Sequence, residues 1–216
     1  MTCSASRMAY MNETAPTAQA PATDPRPPFQ HALALCGQTL AAVRPEQLDG
    51  PTPCPDYTVR QLSGHLVAVL RRVGVIGRGG DVFAVPPVAA DVVEDDRPAV
   101  RDAAWEAALR EVTEVWSAPG MLEGTYRLPF GVLPGTVTLT SYLTEFTLHT
   151  WDLATATGQR PAWRPEVLAL ALAVMKRALP AEPRTAPVPF GPVVPLADER
   201  TASDIDRLVA WYGRQP

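Results

Sequence analysis

Apolar side chains recur along this chain at the three-to-four-residue spacing of amphipathic helices, and that period dominates the sequence. Phe29, Leu33, Cys36, Leu40 and Val43 form one stripe, which predicts a first helix over about Phe29 to Arg44. Val59, Leu62, Leu66, Val69, Val73 and Ile76 form a second, running to about Ile76. Thr58 with Gln61 three residues on is a capping box ahead of it, and GRGG at 77–80 ends it. Trp105, Leu109, Val112 and Trp116 mark the inner side of a third helix from about Pro98 to Trp116, with proline suited to its first turn. Leu139, Leu143, Phe146, Thr150 and Leu153 mark a fourth, about Thr136 to Ala156, closed by TGQRP. A fifth helix is expected from Pro165 to Leu179, and a last one is opened by Ser203 and Asp206 and ended by Gly213.

The connections are punctuated by proline and glycine. GPTPCPDY separates the first two helices, and residues 81–97 read as a loop with an acidic cluster at Glu94, Asp95 and Asp96. TYRLPFGVLPG (125–135) is an ordered loop or a short hairpin. No repeat and no useful alternating run appears. The pattern therefore predicts an all-α fold: a four-helix bundle over residues 28–160, with C-terminal helices and Pro-rich loops of 161–216 packed on its outside or end. Residues 1–27 are rich in Ala, Pro and Thr with few large apolar side chains, which predicts a disordered tail.

Composition narrows the classes. A formal net charge of −4 gives no electrostatic footprint for nucleic acid or an anionic membrane. No apolar run reaches the 18 or so residues a membrane span needs, and no secretion signal opens the chain. Three scattered cysteines, Cys3, Cys36 and Cys54, make neither a disulfide framework nor a CxxC pair, so a reducing cytoplasmic setting is expected.

One set of side chains points to chemistry. Glu145 and His149, four residues apart, project from one face of the fourth helix, flanking Phe146. His65 sits at the edge of the Leu62/Val69 stripe of the second helix. Should those helices face each other, two imidazoles and one carboxylate converge, a set that suits zinc and accepts nickel, iron or another divalent ion. The competing reading is plain: a carboxylate four residues from a histidine is common, and half-buried histidines are usually satisfied core groups. Asp152 is open between a partner that steadies an imidazole and a solvated helix residue. Cys54, between two prolines, suits a structural loop cysteine better than a nucleophile; Trp151 suits packing, and His31 lies off its helix's stripe and suits the surface. There is no phosphate-binding Gly loop, no GxSxG elbow and no HExxH.

TPCPDYTVRQLSGHLV (52–67), LPFGVLPG (128–135) and EFTLHTWDLATATGQ (145–159), in that order, resemble the mycothiol-dependent maleylpyruvate isomerase family, part of the wider DinB-like superfamily of metal-binding four-helix bundles. DRLVAWYGRQP (206–216) looks like the end of a short subgroup without the full C-terminal domain of the characterised isomerase. The resemblance implies that His65, Glu145 and His149 are the metal ligands and that mycothiol is a thiol cosubstrate. Tyr57 stands where the family often has Trp, and Thr150 where it often has Gly.

Two functions follow as expectations. One is a metal-dependent enzyme, a transferase or isomerase, that activates a low-molecular-weight thiol for S-transfer to a small electrophile or for its isomerisation. The other is a non-catalytic metal-binding bundle with a structural, binding or sensing role. Either takes small molecules rather than nucleic acid or membrane as partners, and the apolar helix faces admit a homodimer.

Overall fold

The computed structural model describes residues 24–182, 184 and 190–216. Helices dominate: α1 Arg26–Ala41, α2 Val59–Gly77, the short α3 Ala90–Val93, α4 Pro98–Ser117, α5 Gly135–Thr157, α6 Pro165–Ala178 and α7 Asp204–Trp211. A hairpin, β1 Thr125–Leu128 and β2 Gly131–Pro134, leads into α5, pairing Thr125 with Pro134 and Leu128 with Gly131. The fold is thus the expected all-α bundle with one small two-stranded ribbon.

α1, α5, α2 and α4 form a closed ring in which each helix packs on two neighbours. α6 lies against α5 and α1, and α7 against α6 and α5. The stripes read from the sequence fill the ring: Leu33 and Leu40, Leu62, Leu66 and Val73, Trp105, Val112 and Trp116, and Leu139, Leu143 and Leu153 are all buried. Phe146 sits among them, with the Phe29 ring at 6.2 Å and the Trp105 ring edge-on at 6.0 Å.

α2 begins where the capping box places it, with the Thr58 side chain accepting from the Gln61 N–H and the Gln61 side chain accepting from the Thr58 N–H. α5 is buried nearly all round although rich in threonine. It tolerates this because the hydroxyls of Thr147, Thr150 and Thr157 donate back to the carbonyls of Leu143, Phe146 and Leu153 at 2.6–2.7 Å. Gly158, at φ 71°, ends it in the left-handed region.

Several boundaries differ, among them the end of α1, which comes at Ala41 rather than about Arg44. α1 starts at Arg26, earlier than the apolar stripe, because Pro27 and Pro28 favour a first helical turn. The expected loop 81–97 holds a 3₁₀ turn, Val82–Ala84, and α3. A single helical turn offers too few residues to display a period. Of the expected tail, residues 1–23 lie outside the described residues, and Arg26 and Pro27 belong to α1.

Candidate metal centre

α2 and α5 lie side by side, and each presents polar side chains to the other. His65 sits in the second turn of α2, directly after Gly64. The Gly64 carbonyl accepts from the Ala89 N–H at 3.0 Å, which draws the chain around 85–89 across the helix. Space there is tight: a Cβ on Gly64 would fall 2.6 Å from Val93 Cγ1 and 2.9 Å from Val88 Cγ1. The strap supplies the Pro87 carbonyl, 2.8 Å from His65 Nδ1. A carbonyl only accepts, so the proton of His65 sits on Nδ1 and the lone pair of Nε2 faces α5. Tyr57 stacks on the outer face of the imidazole, ring centroids 4.9 Å apart.

Glu145 and His149 occupy successive turns of α5. His149 Nδ1 donates to Asp152 Oδ2 at 3.0 Å, so Nε2 of this ring also turns inward. Both Nε2 atoms converge on Glu145 Oε1, at 3.4 Å from His65 and 3.5 Å from His149. One ligand atom from each residue can be chosen so that all lie within 4.8 Å of one another. The structure therefore brings together the three residues singled out by spacing and resemblance.

Burial pushes the His65 imidazole below its ordinary value, with the charge on His149 adding and the nearby Glu145 carboxylate, which favours the protonated ring, opposing. For His149 burial acts downward as well, but Glu145 and Asp152 outweigh it and hold the ring above its ordinary value. Burial would raise Glu145; the two histidines, His149 foremost through its charge and hydrogen bond, leave it below the carboxylate range. Neutral His65 thus sets a lone pair against a carboxylate oxygen, an arrangement that a cation between them relieves. The donor set, two oriented imidazole nitrogens and one carboxylate, fits a divalent cation.

The surroundings were only partly legible. Asp152, left open by the sequence, is fully buried and serves His149 on one side and Arg214 on the other, Arg214 Nε to Oδ1 at 2.9 Å and Nη2 to Oδ2 at 3.2 Å. Cys54 is buried and makes a second close grouping with His149 and Asp152, a neighbourhood its loop position did not reveal. Trp151 packs in the core, as expected. His31 is half-buried on α1, with Nδ1 enclosed and without a hydrogen-bond partner among the described residues, rather than on the surface.

A polar column continues from the triad. Thr138 and Tyr142 precede Glu145 by seven and three residues, and Arg72 follows His65 by seven, spacings that keep each on the same helix face. Arg72 is buried, and its Nη2 donates to Val85 O at 3.1 Å and Pro86 O at 3.3 Å, beside the carbonyl that His65 holds. Arg72 Nε and Thr138 Oγ1 are buried without a hydrogen-bond partner among the described residues. Burial raises the Tyr142 phenol, with Arg72 opposing and Glu145 adding. Single arginines such as Arg72 and Arg214 carry no periodic signal; only the tertiary fold reveals them.

The family model for the mycothiol maleylpyruvate isomerase N-terminal domain matches residues 29–154. Two uncharacterized proteins from two strains of Mycobacterium tuberculosis are each 34% identical over 195 residues, covering 88% of this chain and 98% of their own length. No solved structure matches the chain significantly.

Proposed function

Because this chain belongs to the mycothiol maleylpyruvate isomerase N-terminal domain family, we propose that it is a metal-dependent enzyme activating a low-molecular-weight thiol, mycothiol or one like it, for attack on a small electrophile. His65, Glu145 and His149 hold the divalent ion, with zinc the first choice for this donor set. One observation carries the reading: both Nε2 atoms meet Glu145 Oε1, at 3.4 and 3.5 Å, while both Nδ1 atoms are tied elsewhere. Three ligands, rather than the four of a closed structural site, support a centre with room for a substrate atom. When bound, the ion turns a coordinated thiol into a nucleophile at neutral pH, well under the free thiol's pKa of about 8.5.

The protein's own part is orientation and exclusion of water. Pro87 and Asp152 fix the imidazoles, Tyr57 covers one of them, and the buried Arg72 supplies positive charge for a carboxylate carried by the electrophile. In the addition, the S–H bond breaks, a C–S bond forms, and the proton goes to the neighbouring carbon. Elimination of the same thiol after rotation isomerises a double bond; retention of the adduct is S-transfer. Cys36 and Cys54 are both buried and form no disulfide with each other, in keeping with work in the reducing cytoplasm. No helix among the described residues is long and apolar enough to cross a membrane.

The test combines elemental analysis of untagged protein with a thiol-conjugation assay, on wild type and His149→Ala. Near-stoichiometric metal and metal-dependent conjugation, both lost in the variant, are expected. Metal without conjugation across a broad electrophile panel would turn the reading to a non-catalytic metal-binding bundle.

A further inference from the structure

The last helix is short, yet its end is built to aim one side chain. α7 stops at Trp211 with Tyr212 as C-cap. The Gly213 N–H then donates to Ala210 O at 3.0 Å and the Arg214 N–H to Val209 O at 2.9 Å, the paired bonds of a Schellman motif. Gly213 takes φ 79°, and a Cβ there would lie 2.9 Å from backbone atoms of Gly191 and Pro192, so only glycine makes this turn. The turn sends Arg214 back into the bundle, where it is 8% exposed, and its guanidinium grips both oxygens of Asp152 across 62 residues of sequence.

Among the described residues, Asp152 is the hydrogen-bond partner of His149 Nδ1, and it accepts that N–H with Oδ2. A carboxylate held by one hydrogen bond swings about its own torsion; held by a fork of two, its plane is set. With the plane of Asp152 set, the ring of His149 and the direction of its Nε2 are set as well.

We propose that Arg214 is a positioning residue of the metal centre: through Asp152 it fixes the tautomer and ring plane of His149, so that the C-terminal turn completes the site for a divalent cation. This rests on His149 being a ligand. Outer partners of metal-bound histidines are worth about ten- to a hundredfold in metal affinity, and Arg214 acts one bond further out, on the partner itself.

The experiment titrates full-length apoprotein with cobalt(II), reading the dissociation constant and the visible ligand-field spectrum, and repeats the affinity with zinc in competition with a chelator. Arg214→Ala is expected to weaken both metals about tenfold and to alter the cobalt spectrum. Arg214→Lys, which restores the charge but not the fork, is expected to recover part of the affinity. In an Asp152→Asn background, Arg214→Ala should add little, because the connection is already cut. Arg101, equally buried and bonded to the carbonyls of Val43 and Ala41, is the control: Arg101→Ala should lower the apoprotein's melting temperature and leave cobalt binding unchanged. Wild-type affinity and spectrum in Arg214→Ala would overturn the proposal, whatever the loss of stability. Should that variant not fold, an unaltered spectrum and affinity in Arg214→Lys would overturn it equally. Wild-type protein that binds no cobalt or zinc would instead overturn the assignment of the ligands.

Discussion

The Nδ1–H of His65 donates to the carbonyl oxygen of Pro87 at 2.8 Å, so a residue in an irregular strap decides which nitrogen of a helical histidine faces the centre. The strap in turn lies on Gly64, whose carbonyl accepts from Ala89.

Gly64→Ala is therefore a probe of the strap. The methyl group meets Val93 and Val88 side chains at under 3 Å and lifts the strap, while the helix gains up to about 1 kcal/mol of propensity. The expected outcome is an apoprotein of nearly unchanged melting temperature with metal affinity weakened several-fold, read by chelator competition.

Metal uptake should depend on pH. His149, held above its ordinary value by Glu145 and Asp152, keeps a proton at neutral pH that a cation must displace. Zinc affinity is expected to rise about tenfold per pH unit between pH 6 and 8. A flat profile would show that His149 gives up no proton to the incoming cation and is already neutral in the apoprotein.

The stability of the metal-free protein has the opposite slope there. The raised His149 contributes fully below its unfolded value of 6.5 and loses that contribution as pH climbs toward its folded value. His65, lowered by burial, works from the other side, because the unfolded ring takes up a proton below 6.5 that the folded ring refuses. Glu145 and Asp152, both depressed, lose their contributions as pH falls through and below the ordinary carboxylate range. The apoprotein's melting temperature should peak near pH 6.5 and fall on both sides. Zinc loading should remove the alkaline fall, which thermal scans across pH 5–9 would show.

Arg72, proposed to meet the carboxylate of the electrophile, should separate electrophiles by charge. Arg72→Gln is expected to raise KM for carboxylate-bearing electrophiles at least tenfold, the order of one charged hydrogen bond, and to leave neutral esters within about twofold. Equal effects on both would assign Arg72 to holding the strap alone.

The sequence displays what is periodic and hides what is singular. The stripes from Leu33 to Leu153 predict the ring because each repeats over several turns, and the Thr58 box marks the start of α2 to the residue. His65, Glu145 and His149 were legible because two share a helix face and the third borders a stripe. Asp152 could not be told from a solvated residue, since its partner Arg214 comes from the turn after α7, 62 residues further along the chain. Arg72 shares the face of His65, but a charged residue on a stripe reads as a rim until the strap of 85–87 is seen to cover it. α3 went unread because four residues complete hardly one period.

His65 and Glu145 meet across 80 residues, and α1 closes the ring against α5 rather than against α2. No early portion of the chain emerging from a ribosome holds the whole donor set, so chelation cannot nucleate this fold in the way a finger built on adjacent ligands can. The unfolded polypeptide competes poorly for the ion, and nearly the full free energy of binding should accrue to the finished bundle. Were the proposed ion bound, its supply would govern how long the completed protein endures rather than how fast it is made.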